Sequence, residues 1–338
     1  MIHKNVELYN VVELAPSDKG EGWHMLRVPA DLRATLNEAA KNCTIYPAGC
    51  EIRFNLAEGG KAEIILAAEG GDVTPLTVEI YQGCFRTKMA VLREEPTRIT
   101  ISHSPSQAKL EQIAERHKLP FDSRLTRVLL PATIPMRLVG IEGELTPPRR
   151  EQSPARKYLA YGSSITHGAN ACRPSGAYSM LTARHLQADL ISQGYGGGAH
   201  MEETMARYLA GRDDWDFATL EMGINVGGWS LDRFAAAVRR FIDIIASAHR
   251  DKWIFCIDLF TFYADLTEEP TEAWRGFRDA VRQAVSAAGM PRLVHVDGRD
   301  ILRGPAGLSH DLVHPTDDGF AEMAANLSAL MRRTMEGS

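Results

Sequence analysis

Residues 157–168 read KYLAYGSSITHG, and this stretch decides the fold expected for the second half of the chain. Its first five residues form a short, largely apolar run, which is typical of a strand covered on both faces of a sheet. Comparable runs at 189–192, 217–222, 253–258 and 293–297 alternate with amphipathic segments at 178–186, 231–249, 272–288 and 318–335. Strands that alternate with helices predict a parallel sheet between two helical layers, which is a three-layer α/β/α domain.

The residues before about 150 have a different pattern. Short runs of β-branched and apolar residues, several of them alternating with polar residues, lie at 50–54, 62–66, 76–81, 98–102 and 137–141. Gly, Pro, Asp and Asn separate them, which is typical of antiparallel strands in a β-sandwich or jelly roll. One helix is predicted at 106–117. Residues 146–154, TPPRREQSP, predict a linker, so we expect a β-sandwich domain at 1–148 and an α/β domain at 155–338.

Composition argues against several classes of partner. The chain of 338 residues carries a net charge of −5 with scattered Lys and Arg, which gives no basic surface for nucleic acid or an anionic membrane. The first ten residues lack a basic stretch followed by an apolar run, and no apolar segment is long enough for a bilayer. We therefore expect a cytoplasmic protein in which the five cysteines are reduced, although a Cys43–Cys50 bridge stays open. Oligomeric state is not readable from the sequence.

Two segments carry residues for nucleophilic chemistry. Ser164 follows the first predicted strand of the α/β domain, and ligands bind beyond the carboxyl ends of parallel strands. Near the end of the chain, Asp311 and His314 stand in the run SHDLVHP, close enough for the carboxylate to orient the imidazole. A triad needs a buried acid that sets the tautomer, while the other ring nitrogen takes the Ser proton. Each segment alone is also compatible with an ordinary helix start.

Two further segments offer hydrogen-bond donors. Residues 192–198, SQGYGGG, and residues 221–225, EMGIN, both follow predicted strands and should reach the same edge of the sheet. Glycines allow backbone N–H groups to approach a ligand closely, and the Asn225 amide adds fixed donors. Together they predict an oxyanion hole, although a flexible loop and a turn residue are the simpler alternatives.

The order of these four segments, nucleophile, glycine, asparagine and Asp-x-x-His, resembles the SGNH/GDSL hydrolase superfamily over about residues 155–335. The resemblance implies a serine esterase with Ser164 as nucleophile and His314 and Asp311 completing the triad. It also implies that Ser164, Gly197 and Asn225 form the oxyanion hole, with Gly196 as the near alternative to Gly197. The mechanism requires no metal or organic cofactor.

One position departs from the family pattern. The family usually has Asp just before the nucleophile, and this chain has Ser163. A subgroup with an added N-terminal β-sandwich is similar here too, including the run YGSSIT. That subgroup contains carbohydrate-ester hydrolases and acyltransferases. We therefore expect hydrolysis of a small acyl ester, such as acetyl, on a polar, sugar-like alcohol. Acyl transfer from a thioester to a hydroxyl of a small molecule is the alternative.

Three other interpretations compete with the esterase. His310 and His314 have the spacing of a helical zinc site, but Pro315 disfavours helical geometry at His314. Residues 194–199 formally fit a dinucleotide fingerprint, but no strand ending in an acid follows at the right distance. A lectin-like binding protein would use aromatic residues of the β-sandwich, which are Trp23, Tyr46, Tyr81 and Phe85.

Overall fold

The computed structural model describes residues 1–70, 76–267 and 272–337. Two antiparallel sheets occupy the N-terminal part of the chain. The first has the strand order β1-β2-β5-β10-β7-β8, with β12 also paired to β5. Its strands are β1 (Ile2–His3), β2 (Val6–Tyr9), β5 (Glu51–Leu56), β7 (Thr77–Gln82), β8 (Phe85–Val91), β10 (Leu125–Leu129) and β12 (Leu145–Thr146). The second has the order β3-β4-β11-β6-β9. Its strands are β3 (Glu13–Pro16), β4 (Trp23–Leu26), β6 (Lys61–Ala68), β9 (Thr97–Ser102) and β11 (Met136–Gly143).

Alternation of side chains along these strands packs the two sheets face to face. Ile52 and Phe54 of the first sheet share a buried cluster with Ile64, Leu66 and Leu138 of the second. Three helices interrupt the strands: α1 (Ala30–Thr35) and α2 (Glu38–Cys43) after β4, and α3 (Gln107–Arg116) after β9. The five predicted strands and the predicted helix lie within two residues of their expected bounds. Helices α1 and α2 were not predicted.

A parallel sheet follows, with the strand order β14-β13-β15-β16-β17. Its strands are β13 (Lys157–Gly162), β14 (Asp189–Gly194), β15 (Phe217–Glu221), β16 (Trp253–Ile257) and β17 (Leu293–Val296). From β13 the chain crosses to β14 on one side and then returns to β15 on the other. The carboxyl end of β13 is therefore the point where the strand order reverses, which is where open α/β sheets bind their ligands.

Helices cover both faces of this sheet. They are α4 (Ser164–His167), α5 (Tyr178–His185), α6 (Glu203–Ala210), α7 (Leu231–Ala248), α8 (Tyr263–Leu266), α9 (Glu272–Ala288), α10 (Gly298–Ile301) and α11 (Asp317–Glu336). Helices α6, α7 and α9 share one buried cluster with the sheet, and α5 and α11 share the other. The predicted fold class, an α/β/α domain preceded by a β-sandwich, is confirmed. The first cluster also contains Val28, Leu36, Ala40 and Cys43 from the N-terminal part of the chain.

Three further sequence interpretations can be compared with the structure. The predicted linker is held in place, because Gln152 is buried and exchanges hydrogen bonds with Asn55 of β5. All five cysteines are free thiols, so Cys43 and Cys50 are not bridged. Within the ranges that the structure describes, no helix has the length and apolar character needed to cross a membrane.

Candidate active site

A tight turn presents Ser164 at the carboxyl end of β13. The strand ends at Gly162, and the hydroxyl of Ser163 accepts a hydrogen bond from the Ile165 N–H at 3.2 Å, which caps helix α4. A Cβ atom on Gly162 would collide with the side chains of Thr166 and Glu221. Glycine is therefore required before the turn, and Ser164 becomes the first residue of the helix.

The structure brings the three predicted triad residues together. Ser164 Oγ lies 2.7 Å from His314 Nε2, and His314 Nδ1 lies 2.7 Å from Asp311 Oδ2. Asp311 and His314 belong to the loop that enters α11, where Thr316 caps the helix by accepting from the Gly319 N–H. Both ring nitrogens of His314 are thus occupied by the serine and the carboxylate, which is the arrangement of a general base with its orienting acid.

Asp311 differs from the buried acid that a triad was expected to contain. Its side chain is 37% exposed. Hydrogen bonds hold it instead, because Oδ1 accepts from the Ser309 hydroxyl at 2.8 Å and from the N–H groups of Val313 and His314 at 2.9 Å each. Partial burial alone would raise the pKa of Asp311, but the hydrogen bonds from the two backbone N–H groups, the His314 ring and the Ser309 hydroxyl together hold the pKa well below its usual range. Leu312 completes the turn with φ of +58°, a conformation that is rare for a bulky side chain.

The predicted oxyanion donors lie on Ser164 itself, on the loop that follows β14 and on the turn that follows β15. The Ser164 N–H is the first of its helix and has no acceptor within the helix. Asn225, in the short helical turn Ile224–Val226 after β15, accepts from the Ala199 N–H through Oδ1 at 3.1 Å. That bond fixes the amide and leaves its NH₂ group without an acceptor among the described residues.

In the glycine loop, which is residues 194–198, the N–H groups of Gly196 and Gly197 have different surroundings. The Gly196 N–H donates to Nδ1 of His167 at 3.3 Å. His167 is buried, and burial lowers its pKa to about 3, so the ring stays neutral and can accept. The Gly197 N–H has no acceptor among the residues that the structure describes, and Gly197 is exposed. The loop therefore offers the N–H of Gly197 to a ligand and keeps that of Gly196 for its own structure.

Glu221 is a site residue to which sequence reasoning gave no role. It is buried at the end of β15, and its Oε2 accepts from the Ser163 N–H at 2.6 Å and from the Thr166 hydroxyl at 3.0 Å. Burial raises the pKa of Glu221. Its position directly before the Met-Gly-x-Asn run was the only signal in the sequence, and a buried strand end gives no indication of a polar role.

An aromatic wall stands beside the glycine loop. His200 Nε2 donates to the Gly197 carbonyl at 3.1 Å, and the rings of His200 and Trp229 meet edge to face at 5.7 Å. The guanidinium of Arg233 lies 3.8 Å above the Trp229 ring. Of the aromatic residues singled out in the β-sandwich, Trp23 is 42% exposed and Tyr46 packs against His167 at 5.8 Å.

A family of known proteins matches the segment that contains the triad residues. Residues 160–321 match the model of the GDSL-like Lipase/Acylhydrolase family. This segment is a GDSL-like lipase/acylhydrolase domain. For this segment the predicted SGNH/GDSL membership is thereby confirmed, and so is the predicted class, an ester-cleaving enzyme. No curated protein matches the chain in sequence.

Solved structures resemble the whole chain and not the GDSL-like domain alone. The salicylyl-acyltransferase SsfX3 from a tetracycline biosynthetic pathway aligns with a TM-score of 0.78 at 18% identity, covering 97% of this chain and 95% of that one. A family two carbohydrate esterase from Cellvibrio japonicus aligns with a TM-score of 0.61 at 14% identity, covering 99% and 96%. A family two carbohydrate esterase from Clostridium thermocellum, in complex with cellohexaose, aligns with a TM-score of 0.58 at 15% identity, covering 85% and 92%. At these identities the likeness is one of fold.

Proposed function

We propose that the protein is a serine esterase that acts through an acyl ester on Ser164. The observation that carries the proposal is the continuous chain of hydrogen bonds from Ser164 Oγ through His314 to Asp311. The division into a β-sandwich domain at 1–148 and a hydrolase domain at 155–338 is part of the same proposal.

The reaction has two halves. His314 Nε2 takes the Ser164 proton as Oγ attacks the ester carbonyl, and the carbonyl oxygen becomes an oxyanion. The tetrahedral intermediate collapses, the bond to the alcohol breaks, and the alcohol leaves with the proton that His314 carries. Water then attacks the acyl ester while His314 takes a proton from it. Collapse of the second intermediate releases the carboxylic acid and returns the proton to Ser164.

Three N–H groups would hold the oxyanion in both halves. The backbone N–H of Ser164 has no acceptor within its helix. The backbone N–H of Gly197 has no acceptor among the described residues. The Asn225 amide is fixed by its hydrogen bond from the Ala199 N–H. Donors held in place before the reaction stabilise developing charge because they need no reorganisation. Gly196 is a poorer candidate, since its N–H already donates to His167.

For the substrate, we propose a small acyl ester, such as acetyl, on a saccharide alcohol. Support comes from the fold shared with carbohydrate esterases, one of them in complex with cellohexaose. The Trp229 and His200 rings beside the glycine loop also suit a sugar, because aromatic faces pack against the apolar faces of pyranose rings while polar groups bond its hydroxyls.

Acyl transfer to a hydroxyl other than water is the second candidate. Its support is the alignment with SsfX3, which covers nearly all of both chains at a higher TM-score than either carbohydrate esterase described above. Both reactions share the Ser164 ester. The transfer reaction takes the acyl group from a thioester and passes it to a hydroxyl other than water.

Partitioning of the acyl group tests the two candidates. Purified protein is given an acetylated xylo-oligosaccharide in one reaction, and acetyl-coenzyme A with a polyol in another, with Ser164→Ala as the matched control. Release of free acetate in the first reaction, with no transfer product in the second, supports the esterase. Transfer to the polyol that outruns hydrolysis would select the acyltransferase. Turnover by Ser164→Ala at the rate of the unaltered protein would reject both.

A further inference from the structure

Two buried arginines from the N-terminal part of the chain hold strand β14 at its opposite ends. Arg53 forms two hydrogen bonds of 2.7 Å each with the carboxylate of Asp189, the first residue of the strand. Arg27 donates to the carbonyl of Ser192 at 3.2 Å and to that of Gly194, the last residue of the strand, at 2.9 Å. The contact of Arg53 lies at the amino end of β14, away from Ser164. The contacts of Arg27 lie at its carboxyl end, where the glycine loop begins.

The surroundings of Arg27 are unusual for a buried cation. Its side chain is fully buried, and it also donates to the carbonyls of Cys43 and Tyr46, both at 2.8 Å. Four carbonyl groups therefore surround it, and within residues 1–70, 76–267 and 272–337 no carboxylate forms an ion pair with it. Burying a charge without a counter-ion is costly for folding, so such a residue is a candidate for a role in function.

Helix α2 supports the same loop from the same side. Asn37 donates to the Gly198 carbonyl at 3.0 Å, and the Cys43 thiol donates to the Gly196 carbonyl at 3.3 Å. Gly198 lies so close to the backbone of Ala40 that a Cβ atom there would collide with it. The loop that presents the Gly197 N–H is thus held by residues 27–43 of the N-terminal part, and Arg27 bonds to Gly194, where the loop begins.

We propose that Arg27 is the positioning residue of the oxyanion hole, and that the N-terminal part of the chain is needed to form the active site. The inference rests on the proposed acyl-transfer mechanism. Arg27 acts by fixing Gly194, which sets the place of the Gly197 N–H three residues later.

The matched pair Arg27→Lys and Arg53→Lys tests this role. Each change keeps the charge and removes the planar fork of donors, so each should lower the melting temperature. We expect kcat to fall about tenfold in Arg27→Lys with KM nearly unchanged, because misplacement of an oxyanion donor affects the transition state more than substrate binding. Arg53→Lys should keep kcat within about twofold, because its contact lies at the far end of β14.

Arg27→Met extends the series by removing the charge as well. In a folded variant we expect kcat to fall about a hundredfold. Equal kcat losses in the two Lys variants, or a loss confined to KM, would overturn the proposal. Should Arg27→Met fail to fold, the Lys pair decides alone. Failure of the mechanism itself is distinguishable, since in that case the unaltered protein would show no acyl group on Ser164 by mass spectrometry.

Discussion

Glu221 accepts a hydrogen bond from the backbone N–H of Ser163, the residue directly before the predicted nucleophile, at 2.6 Å. The same carboxylate oxygen accepts from the Thr166 hydroxyl, which lies 2.7 Å from the hydroxyl of Tyr178. Helix α4 and the residue before it are therefore hydrogen-bonded to the end of the neighbouring strand β15. A carboxylate buried in this way holds the turn that presents Ser164, at the cost of losing its own hydration.

We predict that the free energy of unfolding of Glu221→Gln, compared with that of the unaltered protein, increases as pH rises. Burial raises the folded-state pKa of Glu221 above its ordinary value of 4.5, so the folded protein binds the proton more tightly than the unfolded chain. The contribution of Glu221 to the free energy of unfolding therefore decreases as pH rises from its ordinary value of 4.5 through the raised pKa of the folded state. Gln does not titrate and still offers an oxygen to the Ser163 N–H.

Chemical denaturation of both proteins, at a pH below 4.5 and again at neutral pH, measures this effect. The difference in unfolding free energy, variant minus unaltered protein, should become more positive at neutral pH. A difference that stays constant with pH would show that Glu221 is not the titrating group.

We predict that Ser164→Ala and His314→Ala each lower ester turnover by about a millionfold, and that Asp311→Ala lowers it somewhat less. The three residues form one chain of hydrogen bonds, so the double variant Ser164→Ala/His314→Ala should be scarcely worse than either single one. Turnover of a chromogenic acetate ester, with melting temperatures to verify folding, measures these losses. Near-normal turnover in folded Ser164→Ala would refute the assignment.

His310→Ala is the matched control for His314→Ala. His310 lies four residues earlier in the same loop region, and both ring nitrogens of His314 already bond to Ser164 and Asp311. We expect His310→Ala to keep turnover within about threefold, and turnover to survive exhaustive chelation, because the mechanism draws its base and donors from the chain. Loss of activity with a chelator and recovery with zinc would restore the metal interpretation.

Periodicity was sufficient to predict the strands and helices that repeat an apolar pattern. Strands 157–161 and 189–192 follow from short apolar runs, as expected for strands covered on both faces, and the long helices on the two faces of the sheet follow from the 3.6-residue period. Helices α1 and α2 escaped prediction because each is short. Helix α2 contacts the glycine loop through Cys43, and α1 contacts α6, so both helices depend on residues far along the chain that local sequence does not encode.

The site divides in the same way. Ser164, Asn225, Asp311 and His314 stand in short motifs whose order could be recognised. Arg27 and Glu221 act through contacts 167 and 58 residues away in sequence, so their roles become visible only once the chain is folded. The exposure of Asp311 was likewise unpredictable, because four local donors replace the burial that a triad acid was expected to have.

We predict that Asn225→Asp lowers kcat by about a hundred- to a thousandfold, equivalent to about 3–4 kcal/mol. Aspartate keeps the oxygen that accepts from the Ala199 N–H and removes the NH₂ donor, so the local fold should be preserved. It also places a negative charge where the oxyanion forms, and Asn225→Ala separates that repulsion from the loss of the donor. Steady-state kinetics measure both variants. A raised KM with unchanged kcat would reassign Asn225 to substrate binding.

The last prediction decides between two adjacent glycines. Gly197 has φ of +69°, so Gly197→Ala should cost about 1–2 kcal/mol of stability, and relief of that strain would turn its N–H away from the oxyanion. In Gly196→Ala the new methyl group would lie 3.5 Å from His167 Nδ1 and 3.6 Å from Ser164 Cβ, which are ordinary contacts. We therefore expect kcat to fall about tenfold or more in Gly197→Ala and to change far less in Gly196→Ala. Kinetics and thermal unfolding of the pair measure both effects, and a larger kcat loss in Gly196→Ala would assign the donor to Gly196 instead.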